Sequence, residues 1–310
     1  MPGATGTEVP YANAPRLVTP VSGLLAQLGT VTPASEEWIA GVTFRPEAIQ
    51  GLDLRDICDT LALQPFAGQS GIIDTAVQPR LRTFRPFSLE LREQCSTFGW
   101  READYVERAT RALDVRRHQG VEREFEQAKL VTTNPHLAQI ATAGANFPTT
   151  TVNLAAGARV SSTDALALLD ESIAEAGIGR GIIHASAFVI TQWASRGLLR
   201  FETIEGDEGI GPRDQVYSPK GNLVIAGNGY QGADPSSGNP DATHASQWAY
   251  ATDWIVVLAT TPVTIPGTLD EAVARSRNLV VFRQEQVFAV LWAGLHHAVV
   301  KIATTTATVA

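Results

Sequence analysis

The sequence predicts a mixed α+β protein in which a compact layered unit follows a long stretch with little core of its own. Three observations predict this class. The first fifty residues show no sustained helical or strand period, a strong helical pattern begins near residue 101, and the second half alternates short β runs with amphipathic helices. Such alternation is typical of helices packed on a sheet.

Residues 1–50 mix Pro, Gly, Thr and Ala with short apolar runs such as SGLLAQL and EEWIAGVTF. This composition predicts an extended arm. An arm of this length gains burial only against another surface, and a neighbouring subunit is the surface we expect.

In residues 64–100 the sequence predicts a two-stranded projection. Apolar side chains stand in near alternation with polar ones at Phe84, Phe87, Leu89 and Leu91. Pro79 and Pro86 predict an edge or ribbon element, because proline has no N–H to donate into a central ladder.

The pattern changes at Arg101, where a long amphipathic helix is predicted. Its apolar positions recur at helical spacing, with Arg and Glu on the other faces, at Val106, Ala109, Leu113, Val121, Phe125 and Ala128. We expect a bend near Gly120 and an end at Asn134 and Pro135.

The second half begins with a helix that starts at the capping residues Ser162, Thr163 and Asp164 and stops at Gly177. The predicted elements that follow are a strand in GIIHASA, a helix in AFVITQWASRGLL, a strand in NLVIAG, a strand in WAYATDWIVVLAT, a helix in LDEAVARSRNLV and a strand pair in VVFRQEQVFAVLWAGLHHAVVKI.

Composition bounds the function. With 310 residues and 44% hydrophobic content the chain can bury a large core, and its net charge of −8 argues against a dedicated nucleic-acid binder. Cys58 and Cys95 are too few for a disulfide framework and form no zinc motif. No run is long and apolar enough for a membrane span, and the N-terminus lacks the pattern of a signal peptide, so a cytoplasmic protein is expected.

Charge is distributed unevenly along the chain. Residues 80–123 hold ten arginines and seven acids, whereas residues 160–275 hold fourteen acids and six bases. These segments can pair within a subunit or between neighbours, and solvated faces that pair with nothing are equally compatible with the sequence.

The residues offer little support for catalysis. Gly227, Gly229 and Gly232 match GxGxxG after a predicted strand, but the next residues, ADPSSGNP, cannot form the helix that a dinucleotide site requires. The histidines lack metal-binding spacing, and the adjacent pair His296 and His297 would point to opposite faces of a strand. We therefore expect no enzyme, no cofactor and no metal, with a nucleotide-dependent enzyme using the glycine loop as the alternative of another class.

The chain resembles the major capsid proteins of tailed bacteriophages, particularly those of actinobacterial phages. The similar stretches are CSTFGWREADYVERATRAL, VEREFEQAKL followed by NPHLA, LALLDESIAEAGIGRGIIHASAFVITQWASRGLL, NLVIAGNGYQG and SQWAYAT. They span about residues 84–295 in the order found in the family. The resemblance implies the tailed-phage capsid fold, which encapsulins and the herpesvirus capsid floor share.

That fold implies five segments. They are an N-terminal arm over 1–50, a strand segment and extended loop over 51–100, a peripheral domain with a spine helix over 101–157, an axial domain over 158–262 and a return to the peripheral domain over 263–310.

The resemblance also implies partners. It predicts self-assembly into pentamers and hexamers of an icosahedral phage head around double-stranded DNA, built in the bacterial host cytoplasm, with DNA contacted only weakly and with separate scaffold, portal and decoration proteins as further partners. An encapsulin-like compartment enclosing protein cargo is the structural alternative. Inter-subunit contacts are expected at Arg80, Arg82, Phe84, Arg85 and Phe87.

One departure from the family concerns crosslinking. Some members join a lysine of the extended loop to an asparagine of a neighbour, but residues 51–100 contain no lysine. We therefore predict a noncovalent shell that dissolves into monomers on a denaturing gel, and a ladder of crosslinked bands would contradict this.

Overall fold

The computed structural model describes residues 23–35, 37–44, 82–96, 102–140, 151–204, 213–267, 273–274 and 279–304. The helices of these segments are α1 (Leu24–Leu28), α2 (Glu102–Gln127), α3 (Ser162–Glu175) and α4 (Ala187–Ser195), with 3₁₀ turns at Glu37–Ala40 and Leu154–Gly157. The strands are β1 (Val42–Phe44), β2 (Arg82–Phe84), β3 (Phe87–Ser96), β4 (Val152–Asn153), β5 (Arg159–Val160), β6 (Ile182–Ser186), β7 (Arg200–Ile204), β8 (Arg213–Tyr217), β9 (Leu223–Gly227), β10 (Ser246–Thr252), β11 (Ile255–Ala259), β12 (Val263–Ile265), β13 (Val273–Ala274), β14 (Leu279–Trp292) and β15 (His297–Ala303).

The strands form two main sheets. The eight-stranded sheet has the order β4-β15-β10-β6-β9-β8-β7, and β5 also pairs with β15. The five-stranded sheet is built around β14, which pairs with β3, β11, β12 and β13. This layout confirms a mixed α+β architecture.

Successive side chains along a strand point to opposite faces, and on the central strand β6 all five residues are buried, so both faces of the sheet are covered at its centre. On β6, Ile183 joins a cluster with Leu169 of α3 and Trp193 of α4. Its neighbour Ile182 joins the other cluster, which includes Phe125 of α2. The sheet is therefore covered by α3 and α4 on one face and by the C-terminal part of α2 on the other.

Helix α2 also packs on β14. The side-chain amide of Gln284 donates to Thr110 Oγ1 at 3.2 Å, and the Arg117 guanidinium donates to Gln286 Oε1 at 3.2 Å. Gly120 lies where the helix crosses β3, and a Cβ at this position would come within 2.8 Å of Leu89 Cδ1. The glycine therefore permits close packing and does not interrupt the helix, which is continuous through it.

Helix α2 ends at Gln127, earlier than the sequence predicted. Ala128 adopts a left-handed conformation with φ of 45°, which stops the helix. The amide of Ala128 still donates to the Glu124 carbonyl at 2.7 Å.

The N-terminal segment 23–44 differs from the arm that we predicted. Leu24 and Leu25 are buried in the same cluster as Phe125, so this segment packs on its own subunit. The Val31 amide also donates to the Val257 carbonyl at 2.9 Å. Residues 1–22 and 45–50 of the predicted arm lie outside the described residues.

The two described strands of the predicted ribbon do not pair with each other. Strand β2 pairs with β1, and β3 pairs with β14 over ten residues from Phe87 to Ser96. Pro86 lies in the link between them, and no described strand pairs with the other edge of β3, as expected for an edge element. Residues 45–81, which include Pro79, lie outside the described residues.

Three predictions for the C-terminal third were wrong in part. The run WAYATDWIVVLAT forms two strands, β10 and β11, which belong to different sheets. The helix predicted in LDEAVARSRNLV is contradicted where the structure describes it, because Val273 and Ala274 form β13 and pair with β14. The last two strands, β14 and β15, are also in different sheets.

The N-cap of helix α3 lies one residue before the predicted capping residue Ser162. Ser161 is the N-cap, and its Oγ accepts a hydrogen bond from the Asp164 amide at 3.1 Å.

No helix among the described residues is long and apolar enough to cross a membrane.

Candidate functional site

The predicted contact residues separate into buried and exposed groups. Phe84 is fully buried and Phe87 is 6% exposed, and the Phe87 ring stacks on Phe288 with centroids 6.1 Å apart. Both phenylalanines therefore contribute to the core of their own subunit, and among the predicted contact residues whose side chains the structure describes, Arg85 is the exposed one.

Arg85 is exposed on a link whose backbone is fixed. Its amide donates to Asn134 Oδ1 at 2.9 Å, and Asn134 Nδ2 donates back to the Arg85 carbonyl at 2.7 Å. Arg82 lies three residues earlier in β2, and Arg80 lies outside the described residues. Contact of these arginines with another copy stays a prediction.

Three glutamates at the C-terminal end of α2 are buried, although the sequence pattern had placed Glu on the outer faces of this helix. Glu122 and Glu126 are fully buried and Glu124 is 6% exposed. A buried carboxylate is costly unless hydrogen bonds compensate it. Each of the three carboxylates accepts two backbone amides.

Glu122 joins the N-terminal segment to the glycine loop 227–233. Its Oε1 accepts the Leu24 amide at 2.8 Å, and its Oε2 accepts the Gly229 amide at 2.6 Å. A Cβ on Gly229 would come within 2.7 Å of Glu122 Cβ, so glycine is required for this approach.

Glu126 binds the same loop further along. It accepts the Gln231 amide at 2.7 Å and the Ala233 amide at 3.0 Å. Glu124 acts locally and accepts the amides of Leu130, at 2.8 Å to Oε2, and Val131, at 2.8 Å to Oε1. The three side chains therefore fix the helix end, the N-terminal segment and the glycine loop relative to one another.

This arrangement excludes the phosphate-binding interpretation of Gly227, Gly229 and Gly232. The amides of a dinucleotide loop must be free to bind phosphate. In this loop the amides at 229, 231 and 233 donate to Glu122 and Glu126, and no helix begins in residues 228–245.

The buried histidines have structural roles. His184 Nδ1 lies 3.0 Å from the Tyr230 hydroxyl, and its Nε2 lies 2.9 Å from Thr252 Oγ1. Burial lowers the pKa of His184 to about 3, so the ring is neutral at pH 7.

His296 and His297 point to different partners, as the sequence predicted for neighbours at a strand. His296 Nε2 lies 3.4 Å from Ser172 Oγ, and His297 Nδ1 lies 2.9 Å from Thr151 Oγ1. Burial lowers the pKa of His296 to about 4 and that of His297 to about 3. The described residues contain no group of three or more side chains that could hold a metal ion.

One local signal in the sequence points to the buried carboxylates. Glu122 and Glu126 are four residues apart and flank Phe125, so they lie beside the apolar stripe of α2. The amides that they bind lie about one hundred residues away in either direction, and no local pattern predicts those partners.

The fold is similar to that of solved phage-type shells. A solved capsid of the native GTA particle, computed with C5 symmetry, matches with a TM-score of 0.53 and 11% sequence identity, over 94% of this chain and 100% of that chain. A solved structure from Microbacterium phage Oxtober96 matches with a TM-score of 0.53 and 10% identity, over 96% and 95% of the two chains. No family model and no curated protein matches the sequence. The protein therefore has the tailed-phage capsid fold.

Replacing Glu122 by Gln tests the electrostatic cost of its burial. Desolvation raises the pKa of Glu122 to about 7, above its usual value of 4.5, so the folded state binds this proton more tightly than the unfolded state. The contribution of Glu122 to stability is therefore present below pH 4.5 and is lost as the pH rises through 7. We expect the free energy of unfolding of Glu122→Gln, minus that of the wild type, to increase from pH 4.5 to 7.

Urea unfolding of the dilute monomer at several pH values measures this difference. The buried histidines titrate in the same way in both proteins and cancel. Glu107→Gln removes an exposed carboxylate of α2 that pairs with Arg111, and it is the control for the loss of one negative charge from this helix. A pH-independent difference for Glu122→Gln would contradict the raised pKa.

Proposed function

We propose that this protein is a shell subunit that self-assembles into a closed icosahedral particle. The observation that carries the proposal is the match to the capsid of the native GTA particle, which extends over 94% of this chain and the whole of the other chain. A match of this extent includes the peripheral parts of the subunit as well as its core, which supports a shared mode of assembly.

The finer proposal is a phage head of pentamers and hexamers that encloses double-stranded DNA. The matched GTA capsid was computed with C5 symmetry, and fivefold symmetry supports rings of identical subunits. The net charge of −8 favours weak, nonspecific contact with DNA over tight binding. The proposed location is the virion, after assembly in the bacterial host cytoplasm with separate scaffold, portal and decoration proteins.

The five-segment division predicted from the resemblance is retained as part of this proposal. The packing of α2 on β14 supports a peripheral unit, whereas two strands cross the proposed bounds, because β15 pairs with β10 in the eight-stranded sheet and β11 pairs with β14. The absence of lysine from residues 51–100 supports noncovalent contacts between subunits.

Negative-stain microscopy of the purified protein tests the function. We expect closed shells or capsomer rings when the protein is concentrated, alone or with the scaffold protein of its genome. Nuclease-protected DNA in shells from infected cells would favour a phage head, whereas protein cargo would favour the encapsulin-like compartment. A uniform monomer under both conditions would contradict a shell subunit.

Reversing the charge of Arg82 and Arg85 tests the predicted contact at the β2–β3 link. The double variant Arg82→Glu/Arg85→Glu should remain a folded monomer, because Arg85 is exposed and its backbone bonds to Asn134 do not involve the side chain. We expect it to lose particle assembly in light scattering and microscopy.

The control is Arg180→Glu, since Arg180 is an exposed arginine in the turn between α3 and β6. It should assemble like the wild type. An unchanged particle yield for the Arg82/Arg85 variant would show that these arginines do not contact a neighbour.

A further inference from the structure

Helix α1 is held on the subunit by tertiary contacts. It has five residues, and a helix of this length is not stable by itself in water. Leu24 and Leu25 are buried, and the Leu24 amide donates to Glu122 Oε1 at 2.8 Å. The docked position of α1 therefore depends on the burial of two leucines and on one carboxylate.

Gln27 of the same helix opposes this docking. It is 2% exposed, and neither Oε1 nor Nε2 of its side chain has a hydrogen-bond partner among the described residues. Both atoms are solvated when the segment is in water, so docking removes them from water without a replacement. The docked position therefore carries a cost that its own hydrogen bonds do not offset.

The chain directly after α1 combines a glycine with a fixed anchor. Gly29 has a φ of 74°, a conformation that glycine adopts without strain. Two residues later the Val31 amide donates to the Val257 carbonyl at 2.9 Å, and the Val31 carbonyl accepts the Ala259 amide at 3.0 Å. Gly29 therefore lies between the docked helix and a backbone pair with β11, where rotation can move α1 without moving the anchor.

The residue before α1 is also a glycine. Gly23 has a φ of 110°, and a Cβ at this position would collide with Glu122 Oε1. A side chain at position 23 would therefore push α1 away from α2.

We propose that residues 23–28 form a latch that opens as one unit about Gly29, while Val31 and the rest of the subunit stay in place. Opening breaks the bond between Leu24 and Glu122, brings the Gln27 side chain into water and uncovers the surface beneath the two leucines. The latch is a property of the single subunit, so the inference goes beyond the proposed function and does not depend on it.

Glu122 makes the opening of the latch dependent on pH. The titratable groups that face its carboxylate are Glu126 on α2 and Tyr230 on the glycine loop, whose hydroxyl lies 3.0 Å from the neutral ring of His184. Helix α1, with the sequence LLAQL, has no ionisable side chain. Opening exposes the carboxylate to water, so the pKa of Glu122 falls from about 7 towards its usual value of 4.5.

The direction of the pH dependence follows from this difference. The closed latch binds the Glu122 proton more tightly than the open latch does. Closure is therefore most favourable below pH 4.5, and the latch opens more readily as the pH rises through 7.

Hydrogen exchange of the dilute monomer, expressed as protection relative to the unfolded chain, tests the latch. We expect less protection at Leu24 and Gly29, whose amides donate to Glu122 and to the Leu25 carbonyl in the closed latch, than at Val31. Gln27→Met keeps the size of the side chain and removes the unpaired amide. It should raise the protection of Leu24 and Gly29 about tenfold and leave that of Val31 unchanged.

Gln192→Met on α4 is the matched control and should change none of these amides. Gly23→Ala should act in the opposite direction to Gln27→Met and lower the protection of Leu24 and Gly29. Circular dichroism checks that each variant is folded. Equal protection of Leu24, Gly29 and Val31 in the wild type, or a Gln27→Met variant without increased protection, would overturn the latch.

The same measurement from pH 4.5 to 7.5 tests the role of Glu122. The protection of Gly29 relative to Val31 should fall by about tenfold or more over this range in the wild type. In Glu122→Gln the ratio should not change with pH. A constant ratio in the wild type would overturn the control of the latch by pH. None of these outcomes bears on whether the subunit assembles into shells, so failure of the latch and failure of the proposed function remain distinguishable.

Discussion

The fold depends on buried carboxylates that bind backbone amides at the C-terminal end of α2. Glu122 alone connects the segment beginning at Leu24 with the loop at Gly229, two stretches more than two hundred residues apart in sequence. Both oxygens of Glu122 are satisfied by backbone amides, and losing one partner would leave a buried polar atom with its full desolvation cost. The arrangement is therefore specific, because an alternative packing would leave these carboxylates unsatisfied.

The two sheets differ in how they are stabilised. In the eight-stranded sheet apolar residues alternate between two buried faces, as Ile182 and Ile183 show. In the five-stranded sheet the long strand β14 supplies polar residues to α2, including Gln284 and Gln286. The first sheet is stabilised from both sides by apolar packing, whereas the second is joined to its helix partly through side-chain hydrogen bonds.

The sequence predicted the elements whose signals are local. The helices α2, α3 and α4 and the strands β6 and β9 follow from periodicity, caps and glycine stops near each element. The resemblance to tailed-phage capsid proteins supplied the fold, which the structural matches confirm.

The errors arose where tertiary contacts decide the outcome. Val273 and Ala274 lie in a run whose sequence pattern predicts a helix. They form a strand instead, because β14 offers a free edge with which they pair. The sequence also placed Glu122 and Glu126 on the solvent side of α2, since a glutamate pattern gives no indication that distant amides will satisfy it. The docking of Leu24 and Leu25 on their own subunit was missed for the same reason.

Helix α2 has a mechanical consequence for the molecule. It is one unbroken rod of 26 residues, about 39 Å long at 1.5 Å per residue. Thr110 and Arg117 in its middle form hydrogen bonds with β14. At its C-terminal end, Glu122 and Glu126 accept hydrogen bonds from amides of the glycine loop. Thr110 and Glu126 are 16 residues apart along the helix, or about 24 Å, so a tilt of about 5° at β14 would displace the loop end by about 2 Å. Helix α2 therefore couples the position of β14 to that of the glycine loop.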